Sequence, residues 1–252
     1  MCCPQRPELQ VFVVIQSYDQ SMATLPEIYL APRYSQAEAA RIIDVPPNSL
    51  RNWASGYTYP TREGRRESTS LITLAEPFRS LIVPFAGLAE AYVVKTLRDA
   101  GLSMQRIRPA VLALKKEIGT QDALLSGRLK TDGVELLYEY LDDPDASPDS
   151  ESSLAVVRNK QRMFREVVQE HLQTVTYSPE NMISRFYPAK FGGTDVIVDP
   201  RINAGKPTFE SVGARVSDVV GRIEAGEPFD EVIDDFGLDE VVARRVIHEY
   251  GS

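Results

Sequence analysis

The stretch Asp44–Arg66, DVPPNSLRNWASGYTYPTREGRR, concentrates positive charge in a chain that is acidic as a whole. Between Asn48 and Arg66 it holds four arginines and one acidic residue around the only tryptophan, Trp53. The full 252-residue chain carries a formal net charge of −8. A cluster of cations in an acidic protein predicts a surface for a polyanion such as nucleic acid.

The residues around this stretch have the spacing of a helix-turn-helix. Ser35, with Glu38 three residues later, predicts a capped first helix over about Gln36–Ile43, which the prolines of DVPP end. Asn48 or Ser49 then caps a second short helix that runs to about Ala54. Apolar residues fall where two crossing helices would bury them, at Ala39, Ala40, Ile43, Val45, Leu50 and Trp53. Asp44 occupies a turn position where glycine is frequent.

The second helix would present its polar face to DNA, and a hairpin after it would form a wing. Two short strands around a Gly64 turn are predicted in GYTYPTREGRRESTSLITL. The expected DNA contacts are Ser49, Arg51 and Asn52 on the helix and Arg62, Arg65 and Arg66 on the wing. A small helical core with a solvated basic loop would give a similar pattern. Two further helices follow, broken at Gly101, with Ser103 as the next cap.

The remainder of the chain reads as a mixed middle region and a helical C-terminal segment. The middle region has a predicted strand in GVELLYEYL, a linker over Asp142–Ser153, a helix in NKQRMFREVVQEHL, and strands in MISRFYPAK and TDVIVDP. The C-terminal segment predicts helices over about Ser217–Ala225, Phe229–Phe236 and Asp239–Tyr250. Glycines and an aspartate cap separate these helices, at Gly226, Gly237 and Asp239.

Charge divides the chain into a basic N-terminal half and an acidic remainder. Residues Lys95–Lys130 carry a net charge of +5, Thr131–Val157 carry −8 and Asp195–Tyr250 carry −7. The C-terminal helices also have helix-turn-helix spacing, but their acidic surface would repel phosphate. We therefore predict that the C-terminal segment contacts a protein, and that residues from Asp195 onward can be removed without loss of DNA binding.

The sequence predicts neither an enzyme nor a membrane protein. Its two histidines, His171 and His248, lie on separate predicted helices with no cysteine nearby, so we expect no metal site. FGGTD and NAGKP lack the spacing of a phosphate-binding P-loop, and there is no G-x-S-x-G elbow, so we expect neither catalytic residues nor cofactors. No apolar run approaches the roughly 20 residues that span a bilayer, and we expect a cytoplasmic protein.

Two parts of the chain resemble known families. The order of helix, turn, helix, basic wing and EAYVVKTLRDAGLSMQRIR is similar to the MerR-like winged-helix domain. The C-terminal segment resembles a small three-helix domain of unknown function that is common in bacterial antitoxins. The residues that carry this second resemblance are Pro200, Ile202, Gly205, Lys206, Pro207, Gly213, Arg215, Ala225–Glu227 and Phe236–Leu238.

Together these parts resemble the large VapB-type antitoxins of toxin–antitoxin operons, particularly those of mycobacteria. The resemblance implies a PIN-like ribonuclease toxin as partner, operator DNA as ligand and repression of the protein's own operon. The isolated cations of the acidic C-terminal segment, Arg201, Lys206 and Arg215, are our candidates for pairing the toxin's carboxylates. A free-standing MerR-like regulator that senses a small ligand is the alternative.

The expected fold is α+β and mainly helical. It comprises an N-terminal extension (1–32), a MerR-like winged helix-turn-helix (33–130), a small mixed middle region (131–194) and a C-terminal three-helix domain with helix-turn-helix-like packing (195–252). Because two-fold operators are bound by two-fold proteins, we expect a homodimer. Its predicted faces are the apolar stripe of EAYVVKTLRDAGL and the C-terminal helices.

Overall fold

The computed structural model describes residues 25–56, 58–61, 64–67, 70–118, 123–127 and 173–251. Their buried apolar side chains form two clusters, each the core of one lobe. We call the body from Leu25 to Tyr187 the N-terminal lobe and the body from Ala189 to Gly251 the C-terminal lobe. The predicted strand in GVELLYEYL, the linker and the helix in NKQRMFREVVQEHL lie outside the described residues.

The described part is mainly helical, and its strands form small antiparallel pairs, which confirms the predicted fold class. The elements of the N-terminal lobe are α1 (Glu27–Leu30), β1 (Pro32–Tyr34), α2 (Gln36–Ile42), α3 (Pro47–Ser55), β2 (Thr58–Thr61), β3 (Gly64–Glu67), β4 (Val83–Pro84), α4 (Phe85–Asp99), α5 (Met104–Ile118), β5 (Val175–Tyr177) and β6 (Ile183–Phe186). Those of the C-terminal lobe are β7 (Val196–Ile197), β8 (Thr208–Phe209), α6 (Val216–Glu224), α7 (Phe229–Phe236) and α8 (Glu240–Gly251).

The predicted helix-turn-helix is present as α2 and α3. The Ser35 hydroxyl accepts the backbone N–H of Glu38 at 3.1 Å and caps α2. The Glu38 carboxylate binds Lys206 of the C-terminal lobe. Helix α3 begins at Pro47, earlier than expected, because proline is favoured in the first turn of a helix, where its missing N–H would have had no partner.

The conformation of the turn between α2 and α3 explains why aspartate can occupy position 44. Asp44 has a φ of 55°, in the left-handed region that aspartate tolerates better than most residues. The N–H of Val45 then donates to the Ala40 carbonyl at 2.9 Å and closes the turn. The apolar positions predicted for the helix–helix contact are buried, except for half-buried Val45, which packs against the same core.

The hairpin that follows α3 has the predicted position of the wing. Strands β2 and β3 pair antiparallel, from Thr58 opposite Glu67 to Thr61 opposite Gly64. Gly64 is thus the first residue of β3, and residues 62 and 63 of the connecting turn lie outside the described part.

Helix α4 is the central helix of the N-terminal lobe. The predicted break at Gly101 is confirmed, and α5 begins at Met104. Nearly every residue of α4 from Phe85 to Leu97 is buried, and the helix packs against α1 and α5. The apolar stripe that we expected to form a dimer face is therefore an internal surface.

The β5–β6 hairpin of the middle region covers another side of α4. The rings of Tyr92 and Phe186 stack with their centroids 4.7 Å apart. The Tyr92 hydroxyl donates to the Tyr187 carbonyl at 3.0 Å. This hairpin belongs to the N-terminal core, and Val198 joins the same core through backbone hydrogen bonds between Phe186 and Val198. The chain therefore enters the C-terminal core at Phe191 and Val196 and returns at Val198 to the N-terminal core.

The three helices of the C-terminal lobe lie within a residue of their predicted ends. Asp239 caps α8 by accepting the N–H of Val242 at 3.0 Å. Gly237 ends α7 in a left-handed conformation with a φ of 67°. Buried residues from all three helices, with Phe191, Val196 and Phe209, form the core. In the described part of the chain, no helix combines the length and apolar character required to span a membrane.

Candidate DNA-binding and partner-binding surfaces

Helix α3 presents a polar face to solvent and an apolar face to the core. Leu50 and Trp53 are buried, whereas the predicted DNA contacts Arg51 and Asn52 are exposed and Ser49 is half-buried. Asn48, which we considered only as a cap, is also exposed on this helix. An exposed helix with an arginine and two asparagines carries the side chains that read base edges in a major groove.

Two contacts hold α3 against the rest of the N-terminal lobe. The Arg108 guanidinium donates to the Asn52 carbonyl at 3.2 Å, and the N–H of Leu71 donates to the Trp53 carbonyl at 2.8 Å. The first contact comes from α5 and the second from the segment that follows the wing. The orientation of α3 is thus linked both to the wing and to the helices behind it.

A cleft of about 150 Å³ lies between α3 and the turn from α4 to α5. Ser49, Asn52, Trp53, Arg98, Met104 and Arg108 line it. Arg98 and Arg108 were not among the predicted DNA contacts, although the +5 charge of Lys95–Lys130 was a signal for them. Arg98 is exposed and places further positive charge beside α3, whereas Arg108 is buried and holds the helix in place.

The arginines predicted on the wing are placed by the backbone of β3. Arg66 pairs with Tyr59 and Arg65 pairs with Pro60 in the antiparallel register. Arg62 lies outside the described residues. The structure therefore brings Ser49, Arg51 and Asn52 together on one helix and puts Arg65 and Arg66 on the adjoining hairpin.

A buried ion pair fixes the segment that leaves the wing. The Glu90 side chain is fully buried, and its carboxylate accepts Lys115 Nζ at 3.2 Å and the backbone N–H of Thr73. Lys115 Nζ also donates to the Leu71 carbonyl at 3.0 Å. Burial raises the pKa of Glu90 above its ordinary value, and the nearby Lys115 charge opposes this shift. The pair ties residues 71–73 to α4 and α5.

The two lobes meet at the junction of β1 and α2. The buried Tyr34 hydroxyl donates to the Gly205 carbonyl at 2.6 Å. Lys206 Nζ donates to Glu38 Oε1 at 2.6 Å and to the Arg33 carbonyl at 3.0 Å, and it lies 5.1 Å from the centre of the Tyr34 ring. Burial raises the pKa of Tyr34, so its hydroxyl keeps the proton that it donates.

The three cations predicted to contact a toxin have different surroundings. Arg201 pairs with Asp199 through two hydrogen bonds of 2.9 and 2.6 Å, and Lys206 is held in the contact between the lobes. These two are therefore not the isolated cations that the sequence suggested. Arg215, at the start of α6, is exposed and has no ion-pair partner among the described residues.

Arg215 differs in this respect from the other arginines of the C-terminal lobe. Arg201, Arg222, Arg244 and Arg245 each form an ion pair with an aspartate or glutamate. The same lobe carries exposed carboxylates on α7 and at the start of α8, at Asp230, Glu231, Asp234, Asp235, Asp239 and Glu240. Of the arginines of this lobe, Arg215 is the one without an ion pair to another described residue.

The described residues contain no group of three or more histidine, cysteine, aspartate or glutamate side chains arranged to hold a metal ion. The candidate functional features of the described residues are the exposed face of α3 with neighbouring Arg98, and the exposed carboxylates and Arg215 of the C-terminal lobe. A helix-turn-helix with a wing and an appended three-helix domain is the architecture of a DNA-binding regulator.

Comparison with known proteins agrees with that class. Residues 32–111 match a family described as "Putative DNA-binding HTH domain", and residues 196–248 match one described as "Protein of unknown function (DUF433)". The crystal structure of Rv2018 from Mycobacterium tuberculosis superposes with a TM-score of 0.67 at 31% identity, covering 86% of this chain and 98% of that one.

A curated relative narrows the class to a family. The chain is 39% identical over 213 residues to "Putative antitoxin VapB45" of Mycobacterium tuberculosis H37Rv, covering 82% of this chain and 89% of the relative. The chain belongs to the family of large VapB-type antitoxins. It is a family member with a helix-turn-helix DNA-binding domain, which points to a regulator rather than an enzyme.

Proposed function

We propose that this protein is a cytoplasmic antitoxin that represses its own operon and neutralises a PIN-like ribonuclease toxin, without enzymatic activity of its own. The observation that carries the proposal is the division of the molecule into two surfaces of opposite character. Exposed polar residues of α3 lie beside an arginine-lined cleft in one lobe, and the other lobe carries exposed carboxylates on α7 and α8 together with exposed Arg215 at the start of α6.

The N-terminal surface suits DNA in both shape and charge. A short exposed helix fits the major groove, and its arginine and asparagine side chains pair with base edges. Exposed Arg98 of the cleft, with the arginines of β3, supplies cations for the flanking phosphates. Leu71, which follows the wing in the chain, donates its N–H to the Trp53 carbonyl, so the segment that leaves the wing is anchored beside α3.

Replacing Arg51 with alanine is expected to weaken binding to the DNA upstream of the protein's own reading frame by about 1–3 kcal/mol. Arg51 is exposed on α3, so the loss reflects a base or phosphate contact and not unfolding. Fluorescence anisotropy with a labelled duplex measures the change. Arg222→Ala, at an arginine of α6 in the C-terminal lobe, is the matched control. If Arg51→Ala and the wild type bound DNA with equal affinity, the assignment of α3 to the DNA contact would be wrong.

The C-terminal surface suits a nuclease that binds RNA. The rim of such an enzyme is basic because its substrate is a polyanion, and clustered carboxylates hold its Mg²⁺ or Mn²⁺. The exposed carboxylates of α7 and the start of α8 can occupy a basic rim. The exposed guanidinium of Arg215, which has no ion pair among the described residues, can pair the metal-binding carboxylates with bidentate geometry.

Of the three predicted toxin-binding cations, Arg215 is the one whose surroundings favour this role. Asn203 Nδ2 donates to the Gly213 carbonyl at 2.9 Å and joins the turn before α6 to the loop that carries Ile202. Ile202 and Val212 are each 37% exposed on these adjoining segments. Arg215 therefore stands near two exposed aliphatic side chains, a combination typical of protein interfaces. Arg201 and Lys206 remain candidates, but partner binding would have to break their present ion pairs.

Replacing Arg215 with alanine is expected to weaken binding of the toxin by about 2–5 kcal/mol, because its partner carboxylates would be left buried and unpaired. Calorimetric titration of the purified protein with the product of the adjacent reading frame measures this change. Operator binding should not change, and Arg51→Ala, on the exposed face of α3 in the other lobe, is the control that should keep toxin binding. Undiminished toxin binding by Arg215→Ala would place the inhibitory contact on another residue.

We also propose that the protein binds DNA as a homodimer. Because α4 is internal, the C-terminal helices are the remaining predicted face. On α8 an open groove of about 410 Å³ is lined by Glu240, Val241, Arg244, Arg245 and His248. Val241 is 75% exposed there, which favours a protein contact at this helix.

A further inference from the structure

One of the contacts between the lobes lies at the first turn of the helix-turn-helix, whereas another joins Arg185 and Tyr187 of the N-terminal lobe to Glu210. Tyr34 precedes the cap of α2, and Glu38 lies in the first turn of that helix. Both side chains bind one loop of the C-terminal lobe, through the Gly205 carbonyl and Lys206 Nζ. We propose that the Asn203–Lys206 loop is a positioning element for DNA recognition, which holds α2 so that α3 faces the duplex. The proposal rests on the operator binding proposed above.

The loop adopts a backbone conformation that costs energy. Asn203, Ala204 and Gly205 have consecutive φ angles of 50°, 56° and 80°, in the left-handed region. Residues other than glycine adopt this region at a cost, and such strain persists only where surrounding contacts hold it. Here Asn203 Nδ2 donates to Thr208 Oγ1 at 3.0 Å and to the Gly213 carbonyl, and Tyr34 holds the Gly205 carbonyl. Because these hydrogen bonds hold the strained loop in one conformation, the loop can position α2.

A short path connects the loop to the DNA-reading helix. The Tyr34 carbonyl accepts the N–H of Ile82 at 3.0 Å, so the same residue also anchors β1 to the segment that returns from the wing. Helix α2 continues from Ser35 to the Asp44 turn, and the close packing of α2 on α3 transmits its position. Lys206 in addition neutralises Glu38, which would otherwise present a negative charge on the DNA-binding lobe.

The C-terminal lobe is therefore a part of the DNA-binding unit. Removing residues from Asp195 onward would expose the Tyr34 ring, free Glu38 and take Val198 out of the N-terminal core. In contrast to the expectation from composition, we now expect this deletion to impair promoter binding. Point variants of the full-length protein test the contact without removing a lobe.

The experiment compares two variants of the full-length protein that break the contact in different ways. Tyr34→Phe removes one hydrogen bond without changing charge, and Lys206→Met removes the cation. Arg222→Met is the control, since Arg222 forms an exposed ion pair with Asp235 inside the C-terminal lobe. Binding to a labelled duplex from directly upstream of the reading frame is measured at several salt concentrations, where circular dichroism shows every variant folded.

We expect Lys206→Met to weaken binding about fivefold or more, and Tyr34→Phe about twofold to tenfold. Both should lower the salt dependence of binding, because a displaced α3 or wing makes fewer phosphate contacts, whereas a smaller folded fraction would leave that dependence unchanged. Lys206→Arg should retain most of the affinity, and Arg222→Met all of it.

The other outcomes contradict the proposal in separate ways. If Lys206→Met alone weakens binding, Lys206 contacts phosphate directly and the positioning role is wrong. If all variants bind as the wild type does, the contact does not influence α3. If the wild-type protein binds neither that duplex nor neighbouring fragments, the proposed operator function itself fails, and the positioning role fails with it.

Discussion

Replacing Gly205 with alanine is expected to lower the free energy of unfolding by about 2–5 kcal/mol. Gly205 has a φ of +80°, and a Cβ placed there would lie 2.3 Å from the hydroxyl oxygen of Tyr34. The left-handed backbone alone costs a side chain about 1–2 kcal/mol, and forcing an atom into a packed contact adds about 1–3 kcal/mol. Urea denaturation of the variant and the wild type measures the difference.

Gly213 provides the matched control because its backbone is similar and its surroundings are open. Its φ is +71°, and no heavy atom among the described residues lies within 4 Å of an added Cβ. Gly213→Ala should therefore lose only the backbone contribution of about 1–2 kcal/mol. Equal losses for the two variants would show that Tyr34 does not contact Gly205 in solution.

The only tryptophan makes the coupling of the lobes measurable in the same experiment. Trp53 is buried in the N-terminal lobe, so its fluorescence reports on that lobe, whereas far-ultraviolet circular dichroism reports on helices of both. Coincident transitions in the wild type would indicate one cooperative unit. Gly205→Ala should separate the two transitions, because the altered loop no longer fits the Tyr34 hydroxyl.

The parts of the fold that the sequence predicted well are those with local signals. The Ser35 and Asp239 caps, the left-handed Gly237 and the prolines after Asp44 act within a few residues of the helix ends that they set. The apolar spacing around Leu50 and Trp53 located α3 for the same reason. Short-range chemistry fixes these features whatever the rest of the chain does.

The functional geometry that the sequence did not predict depends on residues far apart in the chain. Lys206 looked like a free cation in an acidic domain because its partner Glu38 is 168 residues away. No role was predicted for Tyr34, because no neighbouring residue indicates that its hydroxyl donates to a carbonyl 171 residues later. Only the packing of the lobes reveals which of these three cations are already paired, and among the described residues Arg215 has no ion pair.

Glu90 is a further case in which packing decides the role of a charged residue. In the sequence it is one acid in a helix, but the structure buries it completely beside Lys115 and the backbone of Thr73. A buried charge without its partner is strongly destabilising, because desolvation is no longer offset. Lys115→Met is therefore expected to lower the free energy of unfolding by about 3–5 kcal/mol near pH 8.

The stability that Lys115→Met loses should depend on pH, and the raised pKa of Glu90 determines the direction of this dependence. When the pKa is higher in the folded than in the unfolded state, the folded state keeps its proton to higher pH, so the stability falls as the pH rises from the unfolded pKa through the folded one. Removing the Lys115 charge, which lowers the pKa of Glu90, enlarges this shift. Lys115→Met should thus be closer to the wild type in stability near pH 5 than near pH 8.

The double variant Glu90→Gln/Lys115→Met separates charge from packing. The glutamine oxygen can still accept the N–H of Thr73, so the segment after the wing keeps this anchor, while no charge remains buried. We expect the double variant to recover most of the stability lost in Lys115→Met and to lose its pH dependence between pH 5 and 8. Urea denaturation across that range measures both effects.

A Lys115→Met protein as stable as the wild type near pH 8 would show that Glu90 is not buried as an ion pair. If instead the double variant is no more stable than Lys115→Met, the loss comes from the Lys115 contact with the Leu71 carbonyl and not from the uncompensated charge.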